Sequence, residues 1–152
     1  MEAVLHIYVD ADACPVKPEI LRVAQRYDVD VTLVAASWMR VAEGPRLMLE
    51  VVSDGFDAAD DWIAARVGED DLVITSDIPL AARCIAVGAQ VLAPTGRPFT
   101  EANMGDVLAT RNLLTELRGA GMATGGPAPF DARDRSRFLQ ALDQAVQALR
   151  RR

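Results

Sequence analysis

Four short apolar runs, set between segments of helical pattern, constrain the fold more than any other feature of this sequence. They cover residues 4–9, 29–36, 72–75 and 91–92. Runs this short and this uniformly apolar are typical of strands buried on both faces. Strands that alternate with helices form a parallel sheet that helices cover on both sides. The sequence therefore predicts a three-layer α/β/α fold.

The segments between the runs carry helix start and stop signals. Pro15 and Pro18 stand where a first helix begins, and Thr100 is a candidate N-cap for a later one. Residues 37–45 and 122–130 are predicted as loops, and residues 47–52 are ambiguous, with a short strand as one interpretation. Helices are predicted from the prolines to residue 27, over residues 57–67, 78–87 and 100–118, and from Asp131 or Asp134 to the C-terminus.

Length and composition restrict the class of protein. A chain of 152 residues, of which 51% are hydrophobic, suits one domain over residues 1–152 with a core of its own. Cys14 and Cys84 are far apart and form no zinc or disulfide pattern. No signal peptide and no membrane-spanning stretch is predicted. We therefore expect a soluble, cytoplasmic protein.

Carboxylates follow the predicted strands at the points where these end. Asp10 closes the first strand and Asp12 lies two residues further, while Asp77 follows the strand over residues 72–75. Asp57 and Asp60 open the helix that precedes that strand. Parallel strands end at one edge of a sheet, which is where ligands bind in open α/β folds. These five side chains are therefore predicted to lie together.

Clustered carboxylates repel one another unless a proton or a cation intervenes. Hard divalent cations such as Mg²⁺ or Mn²⁺ prefer oxygen ligands, and a bound ion can activate water and polarise a phosphoryl group. The opposing interpretation is that Asp12, Asp57, Asp60 and Asp77 cap helices and turns, as Asp often does. Their joint position at one sheet edge favours the metal site.

Four motifs carry a resemblance to a known family. The sequence resembles the bacterial YaiI/YqxD family, which is functionally uncharacterised, over nearly its whole length. The motifs are VDADACP at residues 9–15, GFDAAD at 55–60, DLVITSDIPLA at 71–81 and TGGP at 124–127.

More distantly, the layout is similar to PIN-like domains, which are metal-dependent nucleases that often cleave RNA. The resemblance implies that Asp10, Asp60 (or Asp57) and Asp77 are catalytic and hold Mg²⁺ or Mn²⁺. Many such nucleases carry another acid shortly after the third Asp, whereas this chain has Ile78-Pro79-Leu80. Asp12 is the candidate to replace that acid, as a further ligand or as a base that orients water.

Two other functions compete with the nuclease. The D-A-D motif also resembles the nucleophile motif of haloacid-dehalogenase-type phosphatases, in which the first Asp attacks phosphorus. That chemistry needs a lysine after a later strand, and the only lysine, Lys17, lies in the first helix.

The second competitor is a non-catalytic RNA- or nucleotide-binding protein. Residues 111–152 carry eight arginines against four acids, a basic end on an acidic chain. Arginines there could position phosphates, and Trp38 could stack a base. The arginines considered are Arg111, Arg118, Arg133, Arg135 and Arg137, of which Arg111, Arg133 and Arg135 are the candidate substrate-binding residues.

The remaining polar candidates receive structural roles. His6 lies inside the first strand and is expected to pack rather than to act in catalysis. Cys14 lies beside the acids, whose negative charge disfavours a thiolate nucleophile. Thr75 and Ser76 could orient water or metal. The sequence thus predicts divalent-metal-dependent hydrolysis of phosphodiesters, with RNA as the expected substrate.

Overall fold

The computed structural model describes residues 5–12, 14–41, 44–53, 55, 57–119 and 130–151. The predicted loop over residues 122–129, with its Gly-Gly pair, lies outside these residues, as does the side chain of Arg118. The elements are β1 (His6–Asp10), α1 (Lys17–Tyr27), β2 (Asp30–Ala35), β3 (Leu47–Val51), α2 (Ala58–Ala64), β4 (Asp71–Ile74), α3 (Ile78–Ala86), β5 (Gln90–Leu92), β6 (Pro98–Phe99), α4 (Glu101–Gly119) and α5 (Ala132–Arg150).

The six strands form one sheet in the order β3-β2-β1-β4-β5-β6. Strands β1 to β5 pair in parallel, and only β6 is antiparallel. The predicted α/β class and its parallel sheet are thereby confirmed. The ambiguous residues 47–52 contain β3, which pairs with β2. Strand β6 was not predicted, because two residues that include a proline carry no periodicity.

Side chains alternate between the two faces of the sheet and separate the core into two layers. In β1, Ile7 and Val9 point to the layer that α1 and α5 cover, whereas Tyr8 points to the layer of α2, α3 and α4. Asp10 follows in the alternation, so its carboxylate lies on the side of Tyr8 and α2. The strand pattern thus determines which helices can contribute to a site with Asp10.

The cap of α5 determines where this helix begins, and its apolar stripe determines which of its faces is buried. Asp131 and Asp134 form a capping box, in which each side chain accepts a hydrogen bond from the backbone of the other. Both alternatives for the cap are therefore part of one motif. The fully buried Phe138, Leu142 and Val146 recur every fourth residue and face α1 and the sheet. None of the helices in the described part of the chain is both long and apolar enough to span a membrane.

Candidate metal centre

The edge of the sheet at which β1 and β4 end carries Asp10, Asp60 and Asp77, and is called the acidic edge below. It lies where the order of strands in the sheet departs from their order in the chain. From β1 the chain proceeds to β2 and β3 on one side, and then returns through α2 to place β4 on the other side of β1. The carboxyl ends of β1 and β4 are neighbours in the sheet, because the two strands pair in parallel. Such a switch point is where open α/β sheets bind ligands. Asp10 and Thr75 come from these two strand ends.

A hydrogen-bonded chain joins Asp10 to Asp77 through the buried Thr75. The Thr75 hydroxyl donates to Asp10 Oδ2 over 2.9 Å, and the Asp77 amide donates to Thr75 Oγ1 over 3.0 Å. Asp77 Oδ1 in turn accepts from the amide of Leu80 over 2.9 Å, which makes Asp77 the N-cap of α3. Asp77 is therefore a cap, as the opposing interpretation predicted, and it is also fixed within reach of the cluster. Each carboxylate keeps one oxygen that these bonds do not use.

Asp60 adds a third carboxylate from the first turn of α2. Burial and the negative charges of Asp77, Asp10 and Asp57 raise its pKa to about 7. Burial also raises the pKa of Asp10, with Asp77 and Asp12 adding to the effect. Two of the three carboxylates therefore keep their protons to a higher pH than isolated carboxylates do.

Asp12 and Asp57 lie at the periphery of this cluster. The exposed Asp12 carboxylate accepts the Ala36 amide through both oxygens, at 3.0 and 3.2 Å, and so links the segment after β1 to the end of β2. Asp57 occupies the N-cap position of α2 in a left-handed conformation, yet its side chain caps no amide of the helix. Its exposed carboxylate acts on Asp60 by charge alone.

The five predicted acids therefore lie at one edge of the sheet. Asp10, Asp60 and Asp77 lie close together, whereas Asp12 and Asp57 lie at the periphery. In the described part of the chain, no three carboxylate, imidazole or thiol groups converge closely enough to ligate one ion as they stand. The donor set itself consists of oxygen only, which suits a hard cation such as Mg²⁺ or Mn²⁺.

The other titratable groups near the acids have structural roles. His6 stacks on Tyr8 and its Nε2 lies 2.7 Å from Thr32 Oγ1, away from the acidic edge. Burial raises the pKa of the Cys14 thiol, which disfavours the thiolate. Asp71 lies at the opposite end of β4, where its carboxylate accepts the amide of Gly68.

The three arginines predicted to bind substrate are distributed over two helices. Arg111 is exposed on α4, where it lines a cleft, and Arg133 is exposed in the first turn of α5. Arg135 donates to the carbonyl of Pro15 and to Glu19, so it also fastens α5 to the start of α1. A further arginine in the cleft, Arg97, was missed because it stands alone in a turn. Its local sequence gives no signal that a cleft forms there.

Comparison with known proteins identifies the family. The sequence profile of the uncharacterised YaiI/YqxD family matches residues 8–148. The chain belongs to this family. Among YaiI/YqxD relatives, the UPF0178 protein of Nitrobacter winogradskyi is 56% identical over 147 residues, which cover 97% of this chain and 94% of the relative. That of Rhodopseudomonas palustris strain TIE-1 is 54% identical over 151 residues, covering 99% and 96%. That of Bradyrhizobium diazoefficiens is 57% identical over 146 residues, covering 96% and 87%.

No solved structure gives a significant match to this YaiI/YqxD chain. The match of the family profile and the similarity of these relatives over nearly the whole chain confirm the resemblance that the motifs indicated. The names of these relatives record no activity. What the acidic edge does must be argued from its own geometry.

The raised pKa of Asp60 gives the apo protein a specific dependence of stability on pH. The folded protein holds a proton on Asp60 up to about pH 7, whereas the unfolded chain releases it near pH 4. The folded state therefore binds more protons between these values, and stability falls as pH rises from about 4 to 7. Above about pH 7 this contribution is constant. We expect Asp60→Asn to flatten the decline.

The measurement is urea unfolding of metal-free wild type and Asp60→Asn at half-unit steps of pH. Asp61→Asn is the matched control, since the neighbouring Asp61 is exposed and paired with Arg83. A wild-type profile parallel to that of Asp60→Asn would contradict the raised pKa of Asp60.

Proposed function

We propose that this protein is a divalent-metal-dependent nuclease of PIN-like type that hydrolyses phosphodiesters in RNA. The observation that carries the proposal is the approach of Asp10, Asp60 and Asp77 at the switch point, where burial together with the charges of Asp77, Asp10 and Asp57 raises the pKa of Asp60 to about 7. A cation bound there would compensate these charges and compete with the proton on Asp60.

Each residue has a distinct role in the proposal. Asp10 and Asp77 are held by Thr75 and by the start of α3, so they form the rigid part of the site. Asp60 exchanges its proton for the cation and completes the ligand set. Asp12, exposed beside them, orients the attacking water. The bound ion, Mg²⁺ or Mn²⁺, supplies a lowered pKa for water and charge compensation for the phosphate.

Phosphatase chemistry of the haloacid-dehalogenase type receives no support from the position of Lys17. Its ammonium group donates to the carbonyl of Cys14 over 3.2 Å. The charges that raise the pKa of Asp10 are those of Asp77 and Asp12. An aspartate nucleophile needs a cation at hand to keep it ionised, so a metal is the better fit for this edge.

The test is a calorimetric titration of Mn²⁺ into apo protein, combined with a cleavage assay on a fluorescein-labelled single-stranded RNA of twenty nucleotides. We expect saturable binding with proton release near pH 7, and cleavage that requires Mn²⁺ or Mg²⁺ and stops with EDTA. Cleavage must co-elute with the protein in gel filtration. Salt-sensitive RNA binding without metal-dependent turnover would overturn the nuclease and favour the non-catalytic binding protein.

A further inference from the structure

A large cleft lies next to the acidic edge and has no role in the site described so far. It has a volume of about 800 Å³ and is formed by the end of β5, the turn into β6, the strand β6 and the exposed face of α4. Clefts of this size suit small molecules and single nucleotides.

The cleft opens beside the carboxylates. Ser76 lines the cleft and is the residue before Asp77, and Pro15 also lines it and follows Asp12 by three positions. Ala93 and Pro94 add the carboxyl end of β5, which lies at the same sheet edge as the ends of β1 and β4. A chain that crosses Asp10 and Asp77 would therefore enter this cleft with its next unit.

The walls combine apolar surface with guanidinium groups. Ile78, Phe99 and Leu114 supply apolar surface, which suits the faces of a base. Arg97, exposed in the turn before β6, and Arg111, exposed on α4, supply positive charge. Guanidinium groups bind phosphate oxygens with paired, charge-assisted hydrogen bonds.

The polar groups of α4 restrict the ligand further. Asp106 adds one carboxylate to the wall, so the charged residues among the described lining carry a net charge of +1 in a chain of net charge −6. Asp106 and Thr110 offer acceptors that can bind the hydroxyl groups of a ribose. The 2′-hydroxyl group is the feature by which proteins distinguish RNA from DNA.

We propose that this cleft holds the nucleotide adjacent to the cleaved phosphate of a single-stranded RNA, with Arg97 and Arg111 on its phosphates and α4 against its ribose. This inference rests on the proposed function and extends it from the acidic edge to the substrate. We therefore expect the chain to bind single-stranded rather than double-stranded RNA, because a base can enter the cleft only when it is unpaired and unstacked.

The first test measures binding of fluorescein-labelled hexauridylate by fluorescence anisotropy in EDTA, so that hydrolysis and metal binding do not contribute. We expect Arg97→Gln/Arg111→Gln to weaken binding at least tenfold. The slope of log affinity against log salt should shrink by about 1.4, since each phosphate contact of a single strand contributes about 0.7. The matched control is Arg26→Gln/Arg46→Gln, which removes the same charge from ion pairs with Asp143 and Asp30 far from the cleft.

The second test fills the cleft without changing its charge. Thr110→Trp places a large side chain on the lining face of α4, and we expect it to weaken hexauridylate binding about tenfold. Ala109→Trp is the control, because Ala109 is exposed on the same helix and does not line the cleft. Circular dichroism on heating verifies that all variants are folded.

The inference would be overturned if the two arginine pairs weakened hexauridylate binding equally, if Thr110→Trp had no effect on it, or if hexathymidylate DNA bound with equal affinity. Displacement of hexauridylate by uridine monophosphate at equal concentration would also overturn it, in favour of a free-nucleotide site. These outcomes are independent of the Mn²⁺ titration. A protein that binds hexauridylate through the cleft but takes up no Mn²⁺ would refute the nuclease and leave the cleft assignment standing.

Discussion

Asp10→Asn is expected to remove Mn²⁺ binding and to reduce metal-dependent RNA cleavage by about a thousandfold. A metal ion stabilises transition-state charge by several kcal/mol, and every 1.36 kcal/mol is a factor of ten in rate. Asparagine has nearly the shape of aspartate but supplies no negative charge to the ion. The measurements are calorimetry with Mn²⁺ and the rate of RNA cleavage under single-turnover conditions.

The same substitution should leave the fold intact. The amide oxygen of asparagine can still accept the hydrogen bond that the Thr75 hydroxyl now donates to Asp10 Oδ2. Loss of one charge also relieves the repulsion that raises the pKa of Asp60. We therefore expect the free energy of unfolding of the apo protein to be unchanged or increased near pH 7. Marked unfolding would instead indicate that Asp10 is structural.

Substitution of Asp77 can separate its role as the N-cap of α3 from its proposed role as a metal ligand. Asn is as good an N-cap as Asp, so Asp77→Asn should keep α3 capped while it weakens metal binding. Asp70→Asn serves as the control, because the exposed Asp70 directly precedes β4, at the edge of the sheet opposite to Asp10. If Asp70→Asn reduced cleavage as much as Asp10→Asn, the assigned centre would be wrong.

Among the variants considered, Gly96→Ala is expected to lower the free energy of unfolding most. Gly96 has a φ of +88° in the turn between β5 and β6, and a Cβ atom there would lie 2.8 Å from the backbone carbonyl carbon of Arg137. Backbone atoms inside a capped helix cannot move aside as a flexible side chain could. A left-handed alanine costs roughly 1–2 kcal/mol and overpacking roughly 1–3 kcal/mol. A Tm lower by about 10 °C is the expected result.

Gly105→Ala is the matched control for that substitution. Gly105 lies within α4, and a Cβ atom there would meet nothing within 4 Å. Alanine in a helix interior is more stable than glycine by roughly 0.5–1 kcal/mol, so this variant should melt higher than wild type. Calorimetric melting of both variants tests the pair. A Gly96→Ala protein that melts with wild type would show that the turn is not packed against α5.

The sequence predicted where two of the acids lie in the fold, because the signals for strand ends are local. An acid directly after a short apolar run marks the end of a strand, and two such ends meet at one sheet edge. Asp10 and Asp77 could be placed in this way. The choice between Asp57 and Asp60 could not be made, since both precede or open the same helix. The structure separates them: Asp60 is half-buried and burial and neighbouring acids raise its pKa, whereas Asp57 is exposed in a left-handed conformation.

The cleft could not be predicted, because its parts come from distant positions. Arg97 follows a short strand, Arg111 lies on a weakly amphipathic helix, and Phe130 precedes α5. No periodicity relates these three residues. Their meeting depends on the turn at Gly96, whose close packing on α5 is a tertiary contact without a sequence motif.

The position of α5 has a consequence for the order in which the protein is built on the ribosome. The carboxylates of the acidic edge have all been synthesised once residue 77 is added, although Asp77 caps α3, which extends to residue 86. The walls of the cleft rest on the first turns of α5, through Arg135 on Pro15 and through the backbone of Arg137 against Gly96. Domains fold as units, and the buried Phe138, Leu142 and Val146 of α5 belong to the core layer that also contains the apolar side chains of β1. A nascent chain therefore completes its core, and with it the approach of its acids, only after the final helix has emerged.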